Sequence, residues 1–195
     1  DEMGFFGPSQ KEIWQELAEE IDGQYIDGGF WKGKKVVAKY ENWIITFDTF
    51  VRSTGKTSAS YTRVRAPYKT KDELKFKIYR KGLFSSIGKA LGMQDIEIGY
   101  GDFDHKFIIK GNHEGKIIEL FSNDRIRELI SYQDRILLEI KDNKGFFSPV
   151  AEEGLYELYF ESLGIIKDID RLKSLFILFV LILNRLTIIG SISNE

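Results

Sequence analysis

The chain has 195 residues, 43% of them hydrophobic, with 15 Phe, 9 Tyr and no cysteine. That suffices for a packed core and excludes structural disulfides, thiolate metal sites and cysteine nucleophiles. Net charge is −2, yet residues 51–90 carry eleven Lys and Arg against only Asp72 and Glu73; that stretch is +9 and the other 155 residues are −11. Such segregation draws anionic partners even to a near-neutral protein.

Met3 stands as a candidate native start, and nothing after it reads as a signal peptide. Ser9 precedes Ile13, Trp14, Leu17 and Ile21 at helical spacing, and Glu12 three residues on completes a capping box, so a helix is predicted over about 10–22. Tyr25–Trp31, Val36–Tyr40, Trp43–Val51, Tyr61–Ala66 and Leu74–Tyr79 are rich in β-branched and aromatic residues. Short turn-forming connections join them, which predicts an antiparallel meander of about five strands.

Residues 82–92 place Leu83, Phe84, Ile87 and Leu91 on one short helical face, flanked by Arg80, Lys81 and Lys89. Phe103–Lys110 reads as a strand. Ile117–Phe121 and the stretch opened by Asn123 read as helices, and Ile136–Ile140, Phe146–Val150 and Tyr156–Phe160 as strands. The longest helix is predicted over about 168–189. Its apolar residues run nearly all round, as suits deep burial or a partner helix. The longest apolar run, Leu175–Leu183, is nine residues. A membrane-spanning helix needs about 20.

Alternation puts Arg63 and Arg65 on one face of their strand, and Lys75 and Lys77 on one face of theirs. Were the two strands paired with apolar faces inward, the four cations would share the solvent face. Like charges side by side then call for a bound anion or for flanking carboxylates. With Arg80, Lys81 and Lys89 they are the candidate anion-binding residues, and Leu83, Phe84, Ile87 and Leu91 the candidate apolar anchor. Basic residues around a short apolar face fit an interfacial helix on an anionic membrane. Tyr61, Tyr68, Phe76 and Tyr79 among the cations also fit a nucleic-acid platform, but a pI of 5.9 argues against a dedicated one. The plainer reading is that the cations are solvated or pair with the chain's own acids.

Gly111–Lys116 and Gly82–Lys89 fail the phosphate-loop spacing, and Gly99-Tyr100-Gly101 lacks the third glycine of a dinucleotide fingerprint. Asp102, Asp104, His105 and His113 form the one alternative polar site, a carboxylate and histidine set that could serve an enzyme only if the fold makes them converge. No nucleophile elbow is present. No metal or other cofactor is implied.

Tyr61–Pro67, Ile78–Ser85, Gly92–Glu97 and Phe103–Asn112 together resemble an uncharacterised family of bacterial and archaeal proteins, a domain of unknown function. The Phe-Asp-x-x-Phe stretch from Phe103 is also similar to a second uncharacterised, often membrane-associated bacterial family. The resemblance implies no activity and no site residue.

The expected fold is α+β: an antiparallel meander of about five strands, a mixed βααβ section and a long C-terminal helix. It is read as one domain over 1–195, subdivided at most into 1–92 and 93–195. The expected function is a non-catalytic binding module with a basic face for an anionic membrane surface, in the cytoplasm or peripheral at the inner membrane face. The alternatives are an enzyme at 102–114, or a homo-oligomer assembled through residues 172–186.

Overall fold

A computed structural model describes residues 7–29, 33–82, 92–143 and 154–193. Helix α1 (Gln10–Glu20) begins with the expected capping box: the Ser9 amide donates to Glu12 Oε2 at 2.7 Å and the Glu12 amide to Ser9 Oγ at 3.3 Å. Four antiparallel strands follow in sequence order, β1 (Gln24–Asp27), β2 (Lys34–Tyr40), β3 (Trp43–Thr54) and β4 (Thr57–Lys69). Then come β5 (Phe76–Arg80), β6 (Gln94–Ile96), α2 (Gly101–Lys106) and β7 (Phe107–Gly111). Helices α3 (Glu114–Phe121) and α4 (Asp124–Ser131), strands β8 (Leu137–Asp142) and β9 (Leu155–Leu163), and helix α5 (Ile169–Ile188) complete the described chain. The large antiparallel sheet, the β7-α3-α4-β8 section and the long last helix make the α+β fold read from the sequence.

The nine strands among the described residues form one sheet, in the order β1-β2-β3-β4-β9-β8-β5-β7-β6. The first four make the meander, and β5 lies beyond β9 and β8 rather than beside β4. Register explains the placement. An apolar row, Val36–Phe47–Val64–Phe160–Leu138–Ile78–Ile109–Ile96, crosses eight strands on one face. A polar row on the other face runs Thr46–Arg65–Tyr159–Glu139–Lys77–Lys110–Asp95. The two cationic strands β4 and β5 are thus separated by strands carrying Glu157, Glu161 and Glu139, which keeps the cations of β4 from facing those of β5.

The apolar row joins Trp14 and Leu17 of α1, Ile117 and Phe121 of α3, Ile126 and Ile130 of α4, and Leu175, Phe179 and Leu183 of α5 in one core. The Trp14 indole donates to the Ile166 carbonyl at 3.1 Å, and Phe76 meets Phe121 edge-on at 5.1 Å. Of the stripe expected to face either a core or a partner, Leu172, Leu175, Phe179, Leu183 and Leu186 are buried in this core and Phe176 is half-buried against it. Ile177 stays on the outer side, 41% exposed. No helix among the described residues is long and apolar enough to cross a membrane.

One local expectation is corrected. Residues 103–106, read as the start of a strand, belong to helix α2, and the strand begins at Phe107. The Asp104 carboxylate accepts from the amides of Ile98, Gly99 and Tyr100 at 2.9–3.0 Å, and the Tyr100 carbonyl accepts from the amides of Phe103 and Asp104. This turn chemistry overrides the alternation. Phe103 and Phe107 then stack four residues apart, with centroids 4.6 Å apart.

Candidate functional site

The polar face of the sheet is where most of the predicted cations lie, and the structure gives four of them acid partners. Arg63 donates to both oxygens of Asp48 (2.7 and 2.8 Å), and Arg65 shares Asp48 Oδ2 at 2.8 Å. The hydrogen bonds it donates to Asp48, offset in part by burial, raise the Arg63 guanidinium above its ordinary range. Lys75 reaches Asp142 at 3.1 Å and Lys77 reaches Glu139 at 3.0 Å. Further along, Lys141 lies 3.3 Å from Glu139 and 3.8 Å from Glu157, its ammonium over the Tyr159 ring. These are the flanking carboxylates that the alternation called for.

Two acids on this face respond in opposite directions. Burial pushes Glu161 up, but hydrogen bonds from Arg52 and Tyr159, with the charges of Arg52 and Lys141, outweigh it and hold the carboxyl below the usual range. Burial also pushes Glu157 up. There Lys141, Arg65 and Arg63 act only through their charges, and the pKa stays raised.

The end of β5 differs. Arg80 donates through Nη2 to the carbonyls of Ser131 and Gln133, both at 3.2 Å, and its guanidinium lies 5.0 Å from the Phe107 ring centroid. Lys81 donates to the Asp104 carbonyl at 2.9 Å, and its amide to the Lys106 carbonyl at 3.0 Å. Among the described residues no carboxylate lies within 4.0 Å of Arg80, Lys81 or Lys106. A carbonyl fixes a cationic side chain without cancelling its charge. Lys81 and Lys106 are exposed, and Arg80 is half-buried. This end of the sheet therefore carries two cations positioned by carbonyls, Arg80 and Lys81, beside an exposed third, Lys106, none with a carboxylate partner among the described residues. Lys89 and the apolar residues Leu83, Phe84, Ile87 and Leu91 lie outside the described residues.

The alternative polar site does not converge. Asp104 is committed to backbone amides, and His113 is the N-cap of α3, its Nδ1 accepting from the Lys116 amide at 3.3 Å. His105 is exposed in the last turn of α2, and Asp102 in its first. Among the described residues no three His, Cys, Asp or Glu side chains are grouped to hold a metal ion.

Sequence reasoning passed over Lys106 because it read residues 103–110 as a strand. It also expected flanking carboxylates without saying which acids they would be. Their signal was present: Glu157, Tyr159 and Glu161 alternate with the buried Leu158 and Phe160, and Glu139 and Lys141 flank Ile140. Which cations they would meet depends on a strand order fixed by pairings between residues about sixty to a hundred positions apart.

Neither the family models nor the curated proteins contain a match to this sequence. Among solved structures, the crystal structure of the mycobacterial trehalose monomycolate transport factor A, TtfA, superposes with a TM-score of 0.55. The alignment covers 95% of this chain and 98% of that one, at 7% identity. At that identity the likeness is one of fold.

Proposed function

We propose that this protein is a non-catalytic binding module that docks peripherally on an anionic membrane surface, with the end of the sheet bearing Arg80, Lys81 and Lys106 toward the lipid. The observation that carries the reading is the contrast within the basic set. Arg63, Arg65, Lys75 and Lys77 are held by carboxylates, whereas Arg80 and Lys81 are held by neutral carbonyls and keep their full charge. The sequence just beyond Lys81 contains Lys89 and no acid before Asp95, which extends the basic run. A protein of similar fold is a trehalose monomycolate transport factor, which favours a lipid-facing role over a nucleic-acid one.

Each cation near an anionic leaflet contributes about 1 kcal/mol, screened within a Debye length. Co-sedimentation with phosphatidylserine-containing vesicles and with phosphatidylcholine vesicles, at low and moderate salt, tests the proposal. The expected result is salt-sensitive binding to the anionic vesicles alone, reduced about tenfold or more by Lys81→Glu combined with Lys106→Glu. Equal binding to both vesicle types, or none to either, would overturn it.

A further inference from the structure

Helices α2 and α4 flank an open groove of about 430 Å³, a size ordinary for small-molecule sites. Tyr100, Asp102 and Lys106 line it from the α2 side, and Asp124, Arg127 and Glu128 from α4. Arg127 organises the wall. Its Nη1 donates to the Phe121 carbonyl at 2.6 Å, and its guanidinium stacks 3.5 Å from the Tyr100 ring centroid. That contact holds the phenol in place while leaving the residue 39% exposed.

Asp102 and Lys106 lie four residues apart on α2, a spacing at which opposite charges commonly pair. Here they stay more than 4.0 Å apart, and no side-chain partner holds either among the described residues. The groove therefore presents unspent acceptors and unspent donors beside a partly open aromatic ring.

The balance selects the ligand class. An anion would face Asp102 and Asp124, with Glu128 held by Arg125 at 3.0 Å, beside Lys106 and an Arg127 already spent on the Phe121 carbonyl and the Tyr100 ring. A metal ion lacks three grouped ligands among the described residues. A hydroxyl donates to a carboxylate and accepts from an ammonium at once, and the C–H face of a sugar packs on an aromatic ring. We infer that the groove between α2 and α4 binds a neutral polyhydroxyl ligand of one or two sugar rings, either a free saccharide or the headgroup of a glycolipid. The groove shares Lys106 with the proposed docking surface, but its ligand is neutral and Tyr100, Asp102 and Arg127 take no part in that docking, so free sugars and phosphatidylcholine vesicles test it separately from binding to anionic lipid.

The test is ¹H–¹⁵N NMR titration of the whole chain with glucose and with maltose, taken well beyond millimolar concentration because single-ring affinities are weak. Flotation with phosphatidylcholine vesicles, with and without a glucosyl diacylglycerol, runs alongside. Shifts confined to residues 100–106 and 124–131, weakened about tenfold by Asp102→Asn and by Tyr100→Ala with the other resonances unchanged, would support a free saccharide. Recruitment only to the glycolipid vesicles, lost in Asp102→Asn, would assign the headgroup. No groove shifts with either sugar and no glycolipid recruitment would overturn the inference. So would stronger groove shifts with inorganic phosphate than with the sugars.

Discussion

Arg52 grips Glu161 through both Nη atoms, each 2.9 Å from a carboxylate oxygen, across 109 residues of sequence. The same guanidinium stacks over the rings of Phe50 and Tyr61, which themselves stack at 5.2 Å. The pair ties the long β3–β4 hairpin to β9 beyond the point where β2 ends, at the pairing of Lys35 with Asp48.

The first prediction follows from the asymmetry of that pair. The Glu161 side chain is 5% exposed and that of Arg52 44%. Losing Arg52 strands a buried carboxylate, while losing the carboxylate leaves a cation with access to water. Arg52→Met should destabilise by about 1–3 kcal/mol at neutral pH, less than a fully buried pair because Arg52 is part-solvated. Glu161→Gln should cost less than Arg52→Met. Glu161 is depressed in the folded state, so its contribution is present above the unfolded pKa and lost as pH falls through the folded one. Urea midpoints at pH 7 and pH 3 measure this. Equal costs for Arg52→Met at both pH values would refute the assignment.

Glu157 supplies the opposite sign. Its folded pKa is raised by burial, so a neutral carboxyl suits the fold, and stability is lost as pH rises through the folded pKa. The nearest cation, Lys141 at 3.8 Å, is too distant for a strong hydrogen bond. Glu157→Gln should therefore gain up to about 1 kcal/mol at pH 7, and nothing below pH 4, where wild-type Glu157 is already protonated. A destabilised variant at neutral pH would show that the Lys141 attraction outweighs the desolvation.

The elements that sequence revealed are those specified locally. The Ser9–Glu12 box, the Asn123 cap of α4 and the apolar periodicity of α5 each sit within a turn or two of the residues they organise. The basic face was legible as alternation in β4 and near β5, but its compensation was not. Asp48 faces Arg63 across the β3–β4 hairpin, a local pairing, whereas Lys77 finds Glu139 and Arg63 lies beside Glu161 only because β9 and β8 insert between β4 and β5. Helix α2 was hidden for a different reason: a single carboxylate, Asp104, gathers three amides and outweighs a strand-like pattern.

Charge reversal distinguishes the compensated face from the open end. Lys77 is 20% exposed in its side chain and sits 3.0 Å from Glu139, which is 11% exposed. Lys77→Glu would set two carboxylates against each other in a half-buried position and should cost about 1–3 kcal/mol. Lys81→Glu, on an exposed side chain held by a carbonyl, should stay within about 0.5 kcal/mol of wild type while lowering affinity for anionic vesicles. Thermal unfolding of both variants, read beside vesicle binding, separates the two roles. If Lys77→Glu leaves stability intact, the Lys77–Glu139 contact is a solvated surface pair.

Asp104 joins the groove to the basic end. Its carboxylate gathers the amides of Ile98, Gly99 and Tyr100, which sets the Tyr100 ring against Arg127, and its carbonyl positions Lys81. Asp104→Ala removes the acceptor for three amides, and a hydrogen bond to a charged group is worth about 1.5–3 kcal/mol. Water can reach the part-exposed loop, so a net cost of about 1–3 kcal/mol is expected. Hydrogen exchange should accelerate at these three amides and not in β7, whose ladders to β5 and β6 do not depend on the carboxylate. Because the Lys81 contact is to the backbone, anionic-vesicle binding should survive the substitution. Acceleration spread through β7 would mean that Asp104 supports the sheet itself, and unchanged exchange at all three amides would mean that the loop holds its shape without it.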